Sequence, residues 1–416
     1  MTAHTHRVTD PGELVPLDHY RTEVLSRVGP LEPLELALLE AHGCVLAEDV
    51  VAAEPVPRFV NSAMDGYAVV AGSVRPGEPQ VLAGEAAAGA PSAEPAASGR
   101  AIRIMTGAPL PSGADAVVPV ELADESGARV TFRAAPAVGA HVRPAGEDVS
   151  AGDVVLSVGR RLQAADLGML AGVGRSRVLV HPRPRVVILS TGDELAEPGT
   201  PLQEGQLYDA NSYALTAATR EAGATAYRQP IVPDDRGQLQ EAFEGALLHA
   251  DVIVTSGGVS AGRYDLVKEV MAQLGDVAFR KVGMQPGMPQ AFGFLGDAAH
   301  LVPTFGLPGN PVSAYVSFEI FVRPALRRMQ GRPDLNRPRV TATLDEPVRS
   351  PAHKVSFLRV VLHRADEGWH ATTTGPQGSG LLHSVVAAHG MAEVPADRTE
   401  VEAGEQLIVH LLVDPA

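Results

Sequence analysis

Several things are scarce in this sequence, and each scarcity excludes a class of protein. A single cysteine, Cys44, rules out an intramolecular disulfide framework and suits a reducing compartment. Aromatic residues make up 4% of the chain, which disfavours base-stacking surfaces for single-stranded nucleic acid. Cations are outnumbered, with 34 Lys+Arg against 49 Asp+Glu and a formal net charge of −15. Such a chain is a poor general binder of nucleic acid or anionic membrane, although a local cationic pocket can still hold a small anion. No apolar run approaches the ~18 residues of a membrane span. The N-terminus, MTAHTHRVTD, lacks the apolar stretch of a signal peptide. The expectation is a cytoplasmic protein without nucleic-acid or membrane partners, with His4 and His6 in a polar tail rather than at a metal.

What is present is length and punctuation. The chain has 416 residues, too many for one ordinary core. Its 42 glycines and 34 prolines show no short period, so they mark turns. Residues 14–50 carry apolar spacings of three and four (LDHYRTEVLSRV, then LEPLELALLEAHG), which predict helix. From about Val51 to Arg143 short β-branched runs alternate with Gly/Pro turns, which predicts a mainly β module. A mixed helix-and-strand pattern returns over 161–180. After Pro182-Arg-Pro184, strand-like and helix-like segments alternate, the signature of a parallel sheet with crossover helices. A long helix is expected at about 311–330, with Asn310 as N-cap and Pro311 in its first turn. Short strands fill 338–413. The predicted fold class is multidomain α/β plus β. Residues 8–57 with 145–181 form an elongated discontinuous domain in which the two helical pieces pack together. A mainly β domain covers 58–144, an α/β domain 182–331 and a C-terminal β domain 332–416.

The chemistry concentrates at loops that follow strands of the α/β segment. Thr255 to Asp265 reads TSGGVSAGRYD, between an apolar strand and a helical pattern. It is neither GxGxxG nor GxxxxGK[ST], yet Gly257, Gly258 and Gly262 would let backbone N–H groups approach a phosphate. The first strand ends in Ser190-Thr191-Gly192-Asp193-Glu194, a solvated turn or half of a site. Open α/β sheets bind ligands at such edges. Asp235 with Gln238 reads as a capping box, which leaves Asp234 without a capping duty. Asp265 is open to two readings, N-cap or ligand. The run Gly306-Leu-Pro308-Gly-Asn-Pro311-Val-Ser313 opens the long helix, whose N-terminus favours an anion. Carboxylates beside a phosphate suggest Mg2+. By pattern alone, the turns around Asp65-Gly66, Thr106-Gly107 and Gln377-Gly-Ser379 read as structural.

Together, NSAMDGYAV, IRIMTGAPLPSGADAVVPVE, RPAGEDV, VVILSTGDEL, DANSY, PDDRGQL, VTSGGVSAGRYD, FGLPGNPVSA and TGPQGSGLLHS follow one another in an order that resembles the molybdopterin molybdenumtransferases, the MoeA/gephyrin E-domain family. The resemblance implies a four-domain, elongated homodimer. It also implies insertion of molybdenum from molybdate into adenylylated molybdopterin, with Mg2+-dependent release of AMP. The cleft would lie between the third and fourth domains of one subunit and the first and second of its partner. On this mapping Glu194, Asp234 and Asp265 are catalytic and metal-holding, and Asp234 assists cleavage of the pyrophosphate. The pterin nucleotide is bound by Asp65, Thr106, Asp148, Thr191, Gly257, Gly258, Ser260, Lys281, Pro308 and Pro311. Molybdate falls to Gln285, Ser313, Arg359 and Ser379. Molybdopterin adenylyltransferase and apo-molybdoenzymes are the implied protein partners.

One departure stands out. Where the family shows a KPGKP turn, this chain reads Met284-Gln285-Pro286-Gly287-Met288-Pro289. Gln285 and Met288 replace both turn lysines, while the upstream lysine is kept as Lys281. Pro and Gly preserve the turn, but two positive charges facing the oxyanion are gone. Two other readings follow: a non-catalytic or specialised paralogue acting as cofactor carrier or scaffold, and a molybdopterin adenylyltransferase. Retention of the three acidic positions weighs against the first, and the SAMDGYA module against the second.

Overall fold

The computed structural model describes residues 14–258, 266–366 and 368–413. They fall into two compact units. The smaller comprises Glu35–His42 and Leu46–Val180, and the larger holds the other described residues.

The smaller unit is built on a six-stranded sheet. Its strand order is Ala123–Ser126, Arg129–Phe132, Pro79–Ala86, Arg100–Ile104, Gly66–Val69, Ala116–Pro119. Alternate residues feed two cores. Tyr67, Val69 and Val118 pack with Phe132, while Ala68, Val117, Ile102 and Ile104 pack on the opposite face. Period-two alternation with both faces apolar is what buries a sheet on two sides. Gly66 is required by this packing, because a Cβ there would lie 2.0 Å from the Val118 carbonyl oxygen. Val50–Val51 pairs with Val154–Leu156, so segments distant in sequence meet in this unit.

In the larger unit a seven-stranded sheet runs Leu14–Val15, Gly275–Val282, Pro289–Asp297, His300–Leu307, Val252–Ser256, Arg185–Ser190, Thr225–Arg228. The last four are mutually parallel. Pro289–Asp297 runs antiparallel to both its neighbours, so the sheet has a parallel core with an antiparallel extension. Val186, Ile188, Val252 and Val254 face one core, and Val187, Leu189 and Ile253 the other. These near-continuous apolar runs are those of strands covered by helices on both sides. The C-terminal strands close on themselves. Val355–Ala365, Gly368–Thr373, Arg339–Leu344, Gln406–Leu411 and Gly390–Val394 form a ring, with the last strand pairing back to the first. Leu358, Val360 and Leu362 fill this barrel.

Three expectations need correction. LEPLELALLEAHG is not a helix: Leu34–Ala37 is a strand followed by turns. Pro33 disfavours helical backbone at Glu32, Leu34-Glu35-Leu36 has period two, and Leu34 and Leu39 are exposed, so no apolar stripe forms. The piece expected to be helical over 14–50 is divided between the two units. Leu17–Arg27 buries Tyr20 and Val24 beside Phe321 and Met329 in the larger unit, whereas Ala164–Gly172 belongs to the smaller. The long helix is interrupted, with Pro311–Ser317 and Arg323–Met329 joined by a π-helical turn over Phe318–Val322. Pro324 has no N–H to give, and a wider turn just before it accommodates that loss.

Candidate active site

Arg185–Ser190 and Val252–Ser256 are parallel neighbours, so the loops leaving their C-terminal ends lie side by side. A cleft of about 470 Å³ opens there, lined by Thr191, Glu194, Asn211, Gly257, Asn310 and Pro311 among others. That is the size of a small-molecule site. The helices Ala210–Glu221 and Pro311–Ser317 both begin at this cleft, and helix N-termini favour anions. Gly257 and Gly258 have φ of +95° and +67°, a conformation glycine adopts without strain. Gly258 and the buried Pro308 are not among the residues lining the cleft. Ser260 and Asp265 lie outside the described residues.

Glu194 and Asp234 are both exposed. Asp235 caps its helix by accepting the Gln238 N–H at 2.9 Å. Its own N–H goes to the Pro233 carbonyl at 2.7 Å, so the cap does not use the Gln238 side chain and the box is one-sided. The Asp234 N–H donates to the Asp193 carboxylate at 3.1 Å. Asp234 does not line the cleft, but Val232 bridges to Thr191, which sets Asp234 close to the rim. The sequence reading overlooked Asp209 and Asn211. Asp209 is 1% exposed. One of its oxygens accepts from the Ser190 hydroxyl at 3.1 Å and the Ser212 N–H at 3.0 Å. The other has no partner among the described residues. Asn211 Nδ2 donates to the Gly309 carbonyl at 2.7 Å and ties the two helix entrances together. In DANSY an Asp followed three residues later by Ser at a helix start is itself a capping signal.

Around the Pro311–Ser317 helix a different chemistry gathers. Asn310 occupies the N-cap position without capping through its side chain. Its Nδ2 instead donates to the Ser379 hydroxyl at 3.1 Å, and the Val312 N–H donates to the Ser379 carbonyl. The same loop reaches Arg359, whose backbone N–H donates to Gln377 Oε1 at 2.8 Å. The Arg359 guanidinium is 1% exposed with its residue. It donates to the Ser384 hydroxyl at 3.1 Å and to the carbonyls of Phe357 at 3.1 Å and Gly378 at 3.4 Å. Among the described residues no carboxylate pairs with it. Burial pushes its pKa down to about 10, so it remains a cation at neutral pH. Ser313 is buried on the same helix. The Gln285–Met288 turn abuts this helix, because Gln290 Nε2 donates both to the Gly287 carbonyl and to the Ser317 hydroxyl, each at 2.6 Å. Gln285 itself is exposed and sits beside Ser356, three residues before Arg359. Lys281 is exposed on the strand that the turn closes against.

In the smaller unit, the Asp65 carboxylate accepts both the Thr106 N–H at 2.7 Å and its hydroxyl at 2.9 Å. The backbone hydrogen bond from Thr106, then that from its side chain, hold the Asp65 carboxyl below the usual range. Gly107 and Asp148 line one cavity of about 400 Å³ with Asn61 and Arg143. Pattern alone reads these turns as structural; the structure ties Asp65 to Thr106 and brings Asp148 to the same turn.

Comparison with known proteins gives these arrangements a family. Residues 15–174 match the MoeA N-terminal region (domains I and II), 187–328 a probable molybdopterin binding domain, and 341–412 the MoeA C-terminal region (domain IV). The chain is 43% identical to molybdopterin molybdenumtransferase 2 of Mycobacterium tuberculosis H37Rv, covering 94% of this chain and 98% of that one. It is 36% identical to the molybdopterin molybdenumtransferase of Haemophilus influenzae, over 96% and 100%. The crystal structure of the molybdopterin biosynthesis MoeA protein from Pyrococcus horikosii superposes with a TM-score of 0.79 at 32% identity, covering 96% and 99%. The chain therefore belongs to the MoeA family of molybdopterin molybdenumtransferases.

Proposed function

We propose that this protein transfers molybdenum from molybdate to adenylylated molybdopterin with release of AMP, as a cytoplasmic homodimer. Arg359 carries the reading. A buried guanidinium held only by neutral acceptors is a site prepared for an anion, and charge-assisted hydrogen bonds to an oxyanion would compensate its lost hydration. Ser379 and Ser313 supply hydroxyls nearby, and Gln285 supplies an amide in place of a lysine.

The cleft at Thr191, Gly257, Asn310 and Pro311 suits the phosphate portion of the nucleotide, with backbone N–H groups and helix N-termini as donors. Asp65, Thr106, Asp148, Gly258, Ser260, Lys281 and Pro308 complete our assignment for the pterin nucleotide. Glu194 lines this cleft and Asp234 lies on the neighbouring loop, an all-oxygen donor set that fits Mg2+, which keeps several waters and takes one or two carboxylates plus substrate phosphates. Glu194 and Asp234, with Asp265, would hold it, and it would neutralise charge on the phosphates during cleavage. Asp234, free of the cap that Asp235 provides, assists departure of AMP. Asp234→Asn should lower AMP release while stability falls by less than about 1 kcal/mol, the usual value of a cap that here is not touched. Parental turnover in that variant would remove Asp234 from the chemistry.

A second reading rests on Gln285 and Met288: a specialised carrier that binds the pterin nucleotide without metal insertion. Incubation of the purified chain with adenylylated molybdopterin, molybdate and Mg2+ separates the two. AMP release with formation of active cofactor supports the transferase, and pterin binding with no AMP supports the carrier.

A further inference from the structure

The outer surface of the C-terminal barrel carries a second constellation with no part in the site above. His363 and His370 stand directly opposite each other on the antiparallel strands Val355–Ala365 and Gly368–Thr373. Their rings are 5.5 Å apart and tilted by 37°. Asp345 follows the neighbouring strand Arg339–Leu344, and its N–H donates to the Ala371 carbonyl. Three adjacent strands therefore deliver three side chains to one spot. Asp345 Oδ1 lies 2.9 Å from His370 Nδ1, and Asp345 Oδ2 lies 3.8 Å from His363 Nε2. Among the described residues this is the one group in which three or more ligating atoms lie within 4.8 Å of one another.

The spacing has a chemical meaning. Ligands about 2.0–2.1 Å from a tetrahedral cation lie roughly 3.3 Å from each other. The two Asp345–His separations, one to each carboxylate oxygen, bracket that value, so small side-chain rotations bring both imidazoles and the carboxylate onto one ion. Two imidazoles and one carboxylate favour a transition cation over Mg2+ or Ca2+, which prefer oxygen throughout. The Thr372 hydroxyl donates to Asp345 Oδ2 at 2.5 Å and fixes the carboxylate, as outer groups do around metal ligands. His363 is half exposed, with 52% of its side chain open, which leaves room for a water as the remaining ligand. Arg359 lies four residues before His363 on the same strand, about 13 Å away at ~3.3 Å per residue. The site is thus separate from the proposed oxyanion recess.

We propose that Asp345, His363 and His370 form a binding site for one divalent transition cation of the zinc class, with three protein ligands and an open water position. Trp369, the chain's single tryptophan, immediately precedes His370 on the strand and faces the opposite side of the sheet, near enough for a bound Co2+ to quench it through the strand.

The test titrates the full-length protein with Co2+, following Trp369 fluorescence and visible absorption, and then adds Zn2+ in competition. The expected result is quenching that saturates at one Co2+ per chain, is reversed by Zn2+, and is unaffected by a large excess of Mg2+. The double variant His363→Gln/His370→Gln should lose at least about 30-fold in Co2+ affinity, and Thr372→Val about 10-fold, in the range of lost outer contacts. Far-ultraviolet circular dichroism establishes that each variant is folded. A second double variant, His4→Gln/His6→Gln, should titrate like the parent. Absence of saturable quenching in the parent overturns the proposal, as does equal affinity in the folded His363→Gln/His370→Gln variant.

Discussion

Two of the buried charged groups in the larger unit are treated in opposite ways. Glu319 is fully buried and accepts from Arg323 Nε at 2.7 Å and from Arg337 at 2.9 and 3.0 Å. Glu221 closes the group through Arg337 at 3.0 Å. Here every buried charge has an opposite charge in contact, and all four residues tie the interrupted 311–329 helix to its surroundings. Arg359 is equally buried but bonds only to a hydroxyl and two carbonyls. A paired buried network is a structural device; a buried cation without its anion costs stability for as long as it waits. On the proposed function, the contrast separates a charge that holds the fold from a charge kept for a ligand.

That contrast can be broken or sharpened by experiment. Its largest expected effect is Glu319→Ala, which strands two arginines and should cost about 3–5 kcal/mol in urea unfolding. A loss under about 1 kcal/mol would remove the structural reading of the network. Arg359→Met should lose far less stability while raising the molybdate concentration for half-maximal turnover at least about tenfold, since a charge-assisted hydrogen bond contributes roughly 1.5–3 kcal/mol. Molybdate should also raise the Tm of the parent and not that of Arg359→Met. Restoring charge at the turn, Gln285→Lys with Met288→Lys, should lower the molybdate requirement about tenfold, equivalent to ~1.4 kcal/mol. No change there, together with a silent Arg359→Met, would place the oxyanion elsewhere.

The smallest effect is with pH. A cation whose pKa is lowered to about 10 stays protonated below that value and loses its charge as pH rises through it. Molybdate affinity should therefore change less than about twofold through Arg359 between pH 7 and 9 and fall above about 10. A steep decline already at pH 8 would assign binding to another group.

The cleft and the Arg359 recess also differ in how far they could be read from sequence. The cleft was legible because parallel strands place their exit loops side by side. Thr191, Glu194 and Gly257 meet there for the same reason that the apolar runs before them pair. Asp209 escaped notice because a helix-capping aspartate and a cleft carboxylate have the same local pattern, and only burial of its second oxygen distinguishes them. Arg359 lies in the strand run VSFLRVVL, and no local rule shows that its outward position is covered. Its role came from resemblance alone. Leu34–Ala37 misled because three- and four-residue apolar spacings occurred without a surface to pack against. The His363–His370 pair depended on strand register, which single-sequence pattern does not fix.

The most direct test of the central claim is simultaneous measurement of AMP release and active cofactor when the purified protein meets adenylylated molybdopterin, Mg2+ and increasing molybdate. Both products should rise together, saturate with molybdate, and shift to at least about tenfold higher molybdate in Arg359→Met. AMP release that ignores molybdate, or that is unchanged in Arg359→Met, would contradict that claim.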